Sequence, residues 1–394
     1  MLLENIGYKQ ELYRGFNSFM SFSFCFSSIA VISSLSLVIN YGLETGGPAV
    51  MVWGWIISCL FTLIVGLSLS EICSVYPVAG SVYYWAGALS SDSWAPVNSY
   101  VCGWLYLIGN IACDSSFAFG FSQMLTAIIQ MGSEGRIIIS QGVQVFIAIL
   151  ILFFWALKNG MRLDKQGWFN NGSAVYQLVS TIVIVLVIVL FSQSISSHEF
   201  VWTTYNNETG FNSVLYVCLI GVLMSSYGMS GYESGATLAE ETQHASKNAP
   251  LGIMKALVLS SIIGFAFILG LLYASQNNLT SVLSGVSDSS VVNIIDMTFT
   301  NNLSGQKNLA MAVIVCVLLL INIFLAGFSH MTVTTRITYA MARDGALPKS
   351  QWLSFVNEKT QNPDHHFGIY SNYKYHNYRL STFLLHSNLC KTKS

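Results

Sequence analysis

The stretch MSSYGMSGYESGATLAEET, residues 224–242, decides how this chain is read. It is entered from VLYVCLIGVLM, residues 214–224, an apolar run without a charge. The run then dissolves into Ser225, Ser226, Gly228, Ser230, Gly231, Ser234 and Gly235, with one carboxylate, Glu233, among them. Glycine and serine are poor helix formers, and glycine loses the most backbone freedom on being fixed. A membrane helix interrupted in this way frees N–H and C=O groups that lipid cannot satisfy. Such a break is tolerated only where protein buries it or where it lines a water-filled cavity. A carboxylate at bilayer depth costs a further ~2.5–3.5 kcal/mol on insertion scales. Break and carboxylate together are what a binding site built on an unwound helix requires.

Composition sets the solvent. Of 394 residues, 53% are apolar and only 9% charged, against about 25% charged in soluble domains. The chain therefore reads as an all-α polytopic membrane protein. Its net charge of -1 suggests no nucleic-acid partner. The 8 cysteines stand mostly inside apolar runs without a CxxC pair, and read as small packing residues rather than a metal or disulfide framework. No cofactor or metal is expected. The first apolar run is span-length, so it reads as a retained helix rather than a cleaved leader.

Spans need about 20 apolar residues, and eight are expected, at 16–39, 49–70, 97–129, 137–157, 174–191, 214–238, 251–273 and 309–335. Charge orients them. With the N-terminus in the cytoplasm, inner segments hold Lys9, Arg14, Lys158, Arg162, Lys165, Lys247, Lys255, Arg336, Arg343, Lys349 and Lys359, and outer loops hold only Arg136 and Lys307. Sequons at Asn207, Asn278 and Asn302 then fall outside, while one at Asn171 falls inside.

The first span carries Ser27, Ser28, Ser33, Ser34 and Ser36, followed by GLETGGP (42–48), an expected outer turn. These serines either bond back to their own helix or mark a second break. A break here, five spans before the other, is what a five-helix inverted repeat predicts. Span three offers Tyr106, Asn110 and Asp114 at i, i+4 and i+8, hence on one helix face. Such groups turn toward the bundle interior, either to pack by hydrogen bonding or to line a cavity. His330 in span eight has the same two readings, packing residue or proton relay. Glu240 and Glu241 are expected to be solvated or to pair with Lys247.

Three stretches carry a family resemblance. These are GGPAVMVWGW (46–55) followed by SLSEICSVYPVAGSVYYWAGAL (68–89), then GYESGATLAEETQHASKNAPLGI (231–253), then RITYAMARDGALP (336–348). Together they resemble the amino acid–polyamine–organocation superfamily of transporters, in particular its amino acid/choline branch, over residues 12–362. WLYLIGNIA (104–112) also resembles span three of bacterial antiporters in that superfamily. The resemblance implies a LeuT-like inverted-repeat bundle with about eight of the usual twelve helices. Residues 1–15 would be cytoplasmic, 16–192 the first five-helix repeat, 193–212 an outer loop, 213–339 a partial second repeat, and 340–394 a cytoplasmic loop and polar tail.

It further implies that unwound parts of spans one and six hold the substrate. Carried over by motif, these are Ile32, Ser33, Ser34, Leu35 and Ser36, and Tyr227, Gly228, Met229, Ser230 and Gly231, with Tyr106 and Asn110 lining the site. Tyr227 falls where relatives have an occluding aromatic, and Glu233 and Asp114 are the expected gating or proton-coupling residues. Free N–H groups at a helix start suit a carboxylate, and free carbonyls suit an amine. Two departures stand out. Ser33 and Ser34 occupy positions where relatives usually have glycine, and after Pro363 the sequence turns rich in Asn, Tyr, His, Lys and Ser instead of continuing into a ninth span. The tail is expected to reflect a frameshift, a retained intron or a truncated gene, which transcript sequence across codons 355–394 decides.

The function implied is secondary transport of an amino acid or small amine such as GABA by alternating access, with a proton as the expected coupling ion. The setting is the plasma membrane or a vacuolar or other organellar membrane. The alternative is a non-transporting receptor or assembly partner derived from such a carrier. An intramembrane enzyme is not supported, since HExxH, GxSxG and paired aspartates in spans are all missing from the sequence.

Overall fold

In a computed structural model, residues 14–159, 163–300 and 307–354 are described. The sequon at Asn302 and the polar tail lie outside them. The helices are α1 (Ser18–Ile29), α2 (Val31–Glu44), α3 (Gly47–Val75), α4 (Ser81–Ala88), α5 (Ala95–Gly132), α6 (Gln141–Asn159), α7 (Leu163–Phe191), α8 (His198–Thr203), α9 (Val214–Gly228), α10 (Ser234–Thr237), α11 (Ala245–Ala274), α12 (Leu279–Leu283), α13 (Ser290–Thr298), α14 (Leu309–Arg343) and α15 (Ser350–Leu353). A single 3₁₀ turn, Ala239–Glu241, separates α10 from α11.

Among the described residues, 6 helical stretches are long and apolar enough to cross a membrane: Ser18–Glu44, Gly47–Val75, Gln141–Asn159, Trp168–Phe191, Ala245–Ala274 and Leu309–Arg343. The other two expected spans are also helical, and the reason each differs is physical. The 38 residues of α5 would extend about 57 Å at 1.5 Å per residue, but Asn110, Asp114 and several serines dilute their apolarity. The apolar helix Val214–Gly228 is cut short by the glycine–serine stretch. The turn read at 42–48 forms where Gly46 and Gly47 take φ of +103° and +70° between α2 and α3.

Packing follows the small residues. α14 lies along α5, and α11 lies along both α3 and α1. Trp55 of α3 is 1% exposed and wedges between three helices. Its indole Nε1 donates to the Ser261 carbonyl of α11 at 3.0 Å, and its ring presses on Gly264 and on Gly228. A Cβ at Gly264 would run into that ring and into Val31. Gly264→Val is therefore expected to destabilise the bundle by about 1–3 kcal/mol through overpacking. A thermal unfolding midpoint equal to wild type in detergent would contradict this wedge.

Two contacts set the topology of the centre. α9 packs on α2, and α10 packs on α1. Because the chain runs from α1 to α2 and from α9 to α10, the two interrupted helices lie antiparallel with their interruptions at one level.

Candidate substrate site at two helix breaks

The first break is sharp and occurs at Ala30, which sits at φ 44° and ψ 49°. A left-handed conformation costs a non-glycine residue roughly 1–2 kcal/mol, and its persistence implies that the surrounding packing imposes it. The Ala30 N–H still closes α1 by donating to Phe26 O at 3.1 Å, and Ser34 N donates to Ala30 O at 3.0 Å. α2 opens without a side-chain cap among the described residues. The first N–H groups of α2, those of Val31, Ile32 and Ser33, therefore face the break.

The interruption thus falls two residues ahead of the segment carried over by motif. Ile32, Ser33, Ser34, Leu35 and Ser36 form the opening turns of α2. Both readings of the serines apply within this helix: Ser34 Oγ bonds back, donating to Ile29 O at 3.2 Å. Ser33 does not do so. Its hydroxyl is buried without a hydrogen-bond partner among the described residues, as are those of Ser27, Ser28 and Ser36.

The second break is wider and runs through turns from Met229 to Glu233. Tyr227 and Gly228 end α9, and Tyr227 O accepts from both Ser230 N at 3.2 Å and Ser230 Oγ at 2.7 Å. Gly231 takes φ +87°, and a Cβ there would stand 3.2 Å from Ser28 O of the first break. The two breaks therefore touch. Ser225 and Ser234, which flank the second one, also have buried hydroxyls without partners among the described residues. An unsatisfied buried hydroxyl costs about 1–3 kcal/mol. Six such hydroxyls lie on the helices and turns that meet at this junction.

The half-buried Glu233 lies beside Tyr106 and within electrostatic reach of His330. The Tyr106 hydroxyl is buried, and no hydrogen bond of normal geometry satisfies it among the described residues. The stripe expected on span three divides in its contacts. Tyr106 faces Glu233, Asn110 Nδ2 donates to its own helix at Tyr106 O (2.8 Å), and Asp114 Oδ1 lies 2.9 Å from His330 Nδ1. Tyr227 Oη meets Ser116 Oγ at 2.9 Å.

The carboxylates after α10 correct the sequence reading. Glu240 and Glu241 are neither solvated nor paired with Lys247; both are buried. Glu241 Oε1 accepts from Arg336 Nε at 2.7 Å. Glu240 accepts from Arg343 in bidentate fashion at 2.9–3.2 Å, and also from the Ala79 N–H at 2.9 Å. The overlooked signal was the i, i+7 spacing of the two arginines, which puts both on one face of α14.

Residues 16–366 match the family described as amino acid permease. The chain is 34% identical to Amino-acid permease BAT1 of Arabidopsis thaliana over 367 residues, covering 91% of this chain and 70% of that protein. It is 32% identical to the rice homologue over 363 residues, covering 90% and 69%. It is 26% identical to the GABA-specific permease of Saccharomyces cerevisiae over 393 residues, covering 92% and 62%. Family and relatives are permeases and not enzymes, in keeping with the apolar helices: this chain belongs to the amino acid permease family of membrane transporters.

Proposed function

We propose that the chain carries an amino acid or small amine across the membrane by alternating access, with the substrate held where the two helix breaks meet. One observation carries this reading: two antiparallel interrupted helices touch at Gly231 and Ser28, and both carry buried hydroxyls that lack partners among the described residues. The opening N–H groups of α2 suit a carboxylate, since a helix start combines free donors with the positive dipole end. The final carbonyls of α9 and the Glu233 carboxylate suit an ammonium. Ser33, Ser36, Tyr106 and Asn110 complete the lining, and Tyr227, tethered to Ser116, closes one side. In this reading the fold is a LeuT-like inverted repeat, and the charge distribution of the sequence puts the N-terminus in the cytoplasm. A proton is the coupling ion in this reading, with Glu233 gating the site and Asp114 serving the proton.

Uptake of labelled alanine, GABA, glutamate and choline by vesicles containing the purified chain tests the proposal. Accumulation of none of them would favour a non-transporting role. Within the proposal, Glu233→Gln keeps the size of the side chain but removes its charge. A charge-assisted hydrogen bond contributes about 1.5–3 kcal/mol, so the variant is expected to raise the half-saturating substrate concentration roughly 10- to 100-fold. An unchanged saturation curve would remove Glu233 from the site.

A further inference from the structure

Asp114 and His330 form a buried ion pair within the helical bundle. Their side chains are 7% and 6% exposed and lie on α5 and α14, two helices packed along each other. An ionised carboxylate only accepts, so with Asp114 ionised the 2.9 Å contact places a proton on His330 Nδ1. Nε2 is left as the atom that titrates. The Phe117 ring, 5.7 Å from the imidazole, packs against it.

The groups facing this pair are few. From α5 they are Cys113 and Asp114, and from the second break Glu233. Among the described residues α1 carries no charged side chain and α10 carries none. α6 and α7 present neutral amides: Asn159 accepts from Thr332 and Asn170 accepts from Ser329. Along α14 the next cation is Arg336, which is held by Glu241. Glu233 is thus the one nearby carboxylate not held in an ion pair among the described residues.

We infer that Asp114 and His330 together are the proton-carrying site of the transporter, separate from the carboxylate that meets the substrate. This rests on the transport reading above and deepens it. With Nε2 free the pair holds one proton and a net charge of −1. Uptake of a proton from water on one side forms an N–H bond at Nε2 and leaves a neutral imidazolium–carboxylate pair. Release to the other side breaks that bond, and nothing else changes hands. A neutral pair is cheaper to enclose in a low-dielectric bundle than a net charge. The protonated pair also alters the field at Glu233, which couples its state to the substrate's ammonium.

The test uses the full chain in vesicles with a trapped pH dye and labelled amino acid. Substrate exchange, net uptake driven by an acidic exterior and proton flux are measured together. Wild type is expected to show all three. Asp114→Asn and His330→Gln are each expected to lose the acid-driven component and the proton flux while still exchanging substrate. The double variant is expected to behave like either single one, because the two residues act as one unit. That double variant keeps an amide-to-amide hydrogen bond across the interface, and so separates the proton from a mere brace between α5 and α14. Proton flux in a folded double variant, or loss of exchange in one whose thermal midpoint matches wild type, would overturn the inference. So would wild-type uptake without proton flux. Wild type that neither takes up nor exchanges any substrate would instead remove the transport reading itself.

Discussion

Gly231→Ala and Gly231→Val are expected to cut uptake by roughly 10-fold and more than 100-fold respectively, while leaving a folded protein in the membrane. The reason lies in two constraints at one residue. Its φ of +87° is a conformation that L side chains rarely adopt, and the space beside it is taken by the Ser28 carbonyl at 3.2 Å. Leaving the left-handed region costs an alanine nothing if the turn can relax, but relaxation here moves the second break off the first. Keeping the turn costs roughly 1–2 kcal/mol, and the methyl then pushes on Ser28 O and its neighbours. Valine adds branching against the same backbone. Either way the damage falls on the junction rather than on the core, since Gly231 is only half-buried and no long helix depends on it. Gly210 offers the control, because it has φ +77° with nothing within 4 Å of a Cβ. Gly210→Ala carries the backbone strain without the collision and is expected to transport. If Gly231→Val transports as wild type does, contact between the breaks is irrelevant to function. Loss of Gly231→Val from the membrane fraction, with Gly210→Ala retained, would instead mark Gly231 as structural.

How much of this was readable beforehand differs between the two breaks. Glycine and serine density around Gly228, Ser230 and Gly231 gave away the second, because its geometry is carried by residues that favour it. The first is carried by Ala30 between Ile29 and Val31, a local sequence that favours unbroken helix. Packing from α7, α9, α10, α11 and α14 surrounds the left-handed turn there, and packing is not visible in a local window. The serines at 27, 28, 33, 34 and 36 bracket the break at Ala30 without marking the residue itself. Span three shows the same limit. Periodicity put Tyr106, Asn110 and Asp114 on one face, but could not say that Asn110 would bond its own helix or that Asp114 would find His330, 216 residues away. Partners between distant helices depend on rotation and height, which a helical period leaves undetermined. For the same reason Lys247, close in sequence, looked like the natural partner of Glu240 and Glu241, whereas α14 supplied both arginines.

Those arginines carry the largest expected effect on stability. Arg336 and Glu241 are 1% and 0% exposed at their side chains, with Nε and Oε1 at 2.7 Å. Removing one partner of a buried pair leaves a charge without compensation and typically costs 3–5 kcal/mol, so Arg336→Ala is expected to lower the thermal midpoint by about 5–15 °C. The pair also holds segments together. Phe16 N donates to Glu241 O at 3.0 Å and Gln243 N donates to Phe16 O at 2.8 Å, so the segment entering α1 is stitched to the turn leaving α10. Beside it, the Tyr83 hydroxyl donates to Asp344 at 2.9 Å and Arg343 grips Glu240, which tie α4 to the end of α14. Both interrupted helices and α14 thus meet at one charged end. The pair is not fully satisfied, however: Glu241 Oε2 and Arg336 Nη2 have no hydrogen-bond partner among the described residues. An incompletely bonded buried ion pair is a poor stabiliser compared with apolar packing of equal volume. The double variant Arg336→Met/Glu241→Leu is therefore expected to recover most or all of the stability lost by Arg336→Ala. Its transport is expected to stay impaired, because an apolar plug that holds the charged end shut lacks the hydratable groups an opening needs. A double variant that is both stable and fully active would show that the pair only fills space. One that is as unstable as Arg336→Ala would show that the ion pair, with its unbonded atoms, stabilises this end better than close packing can.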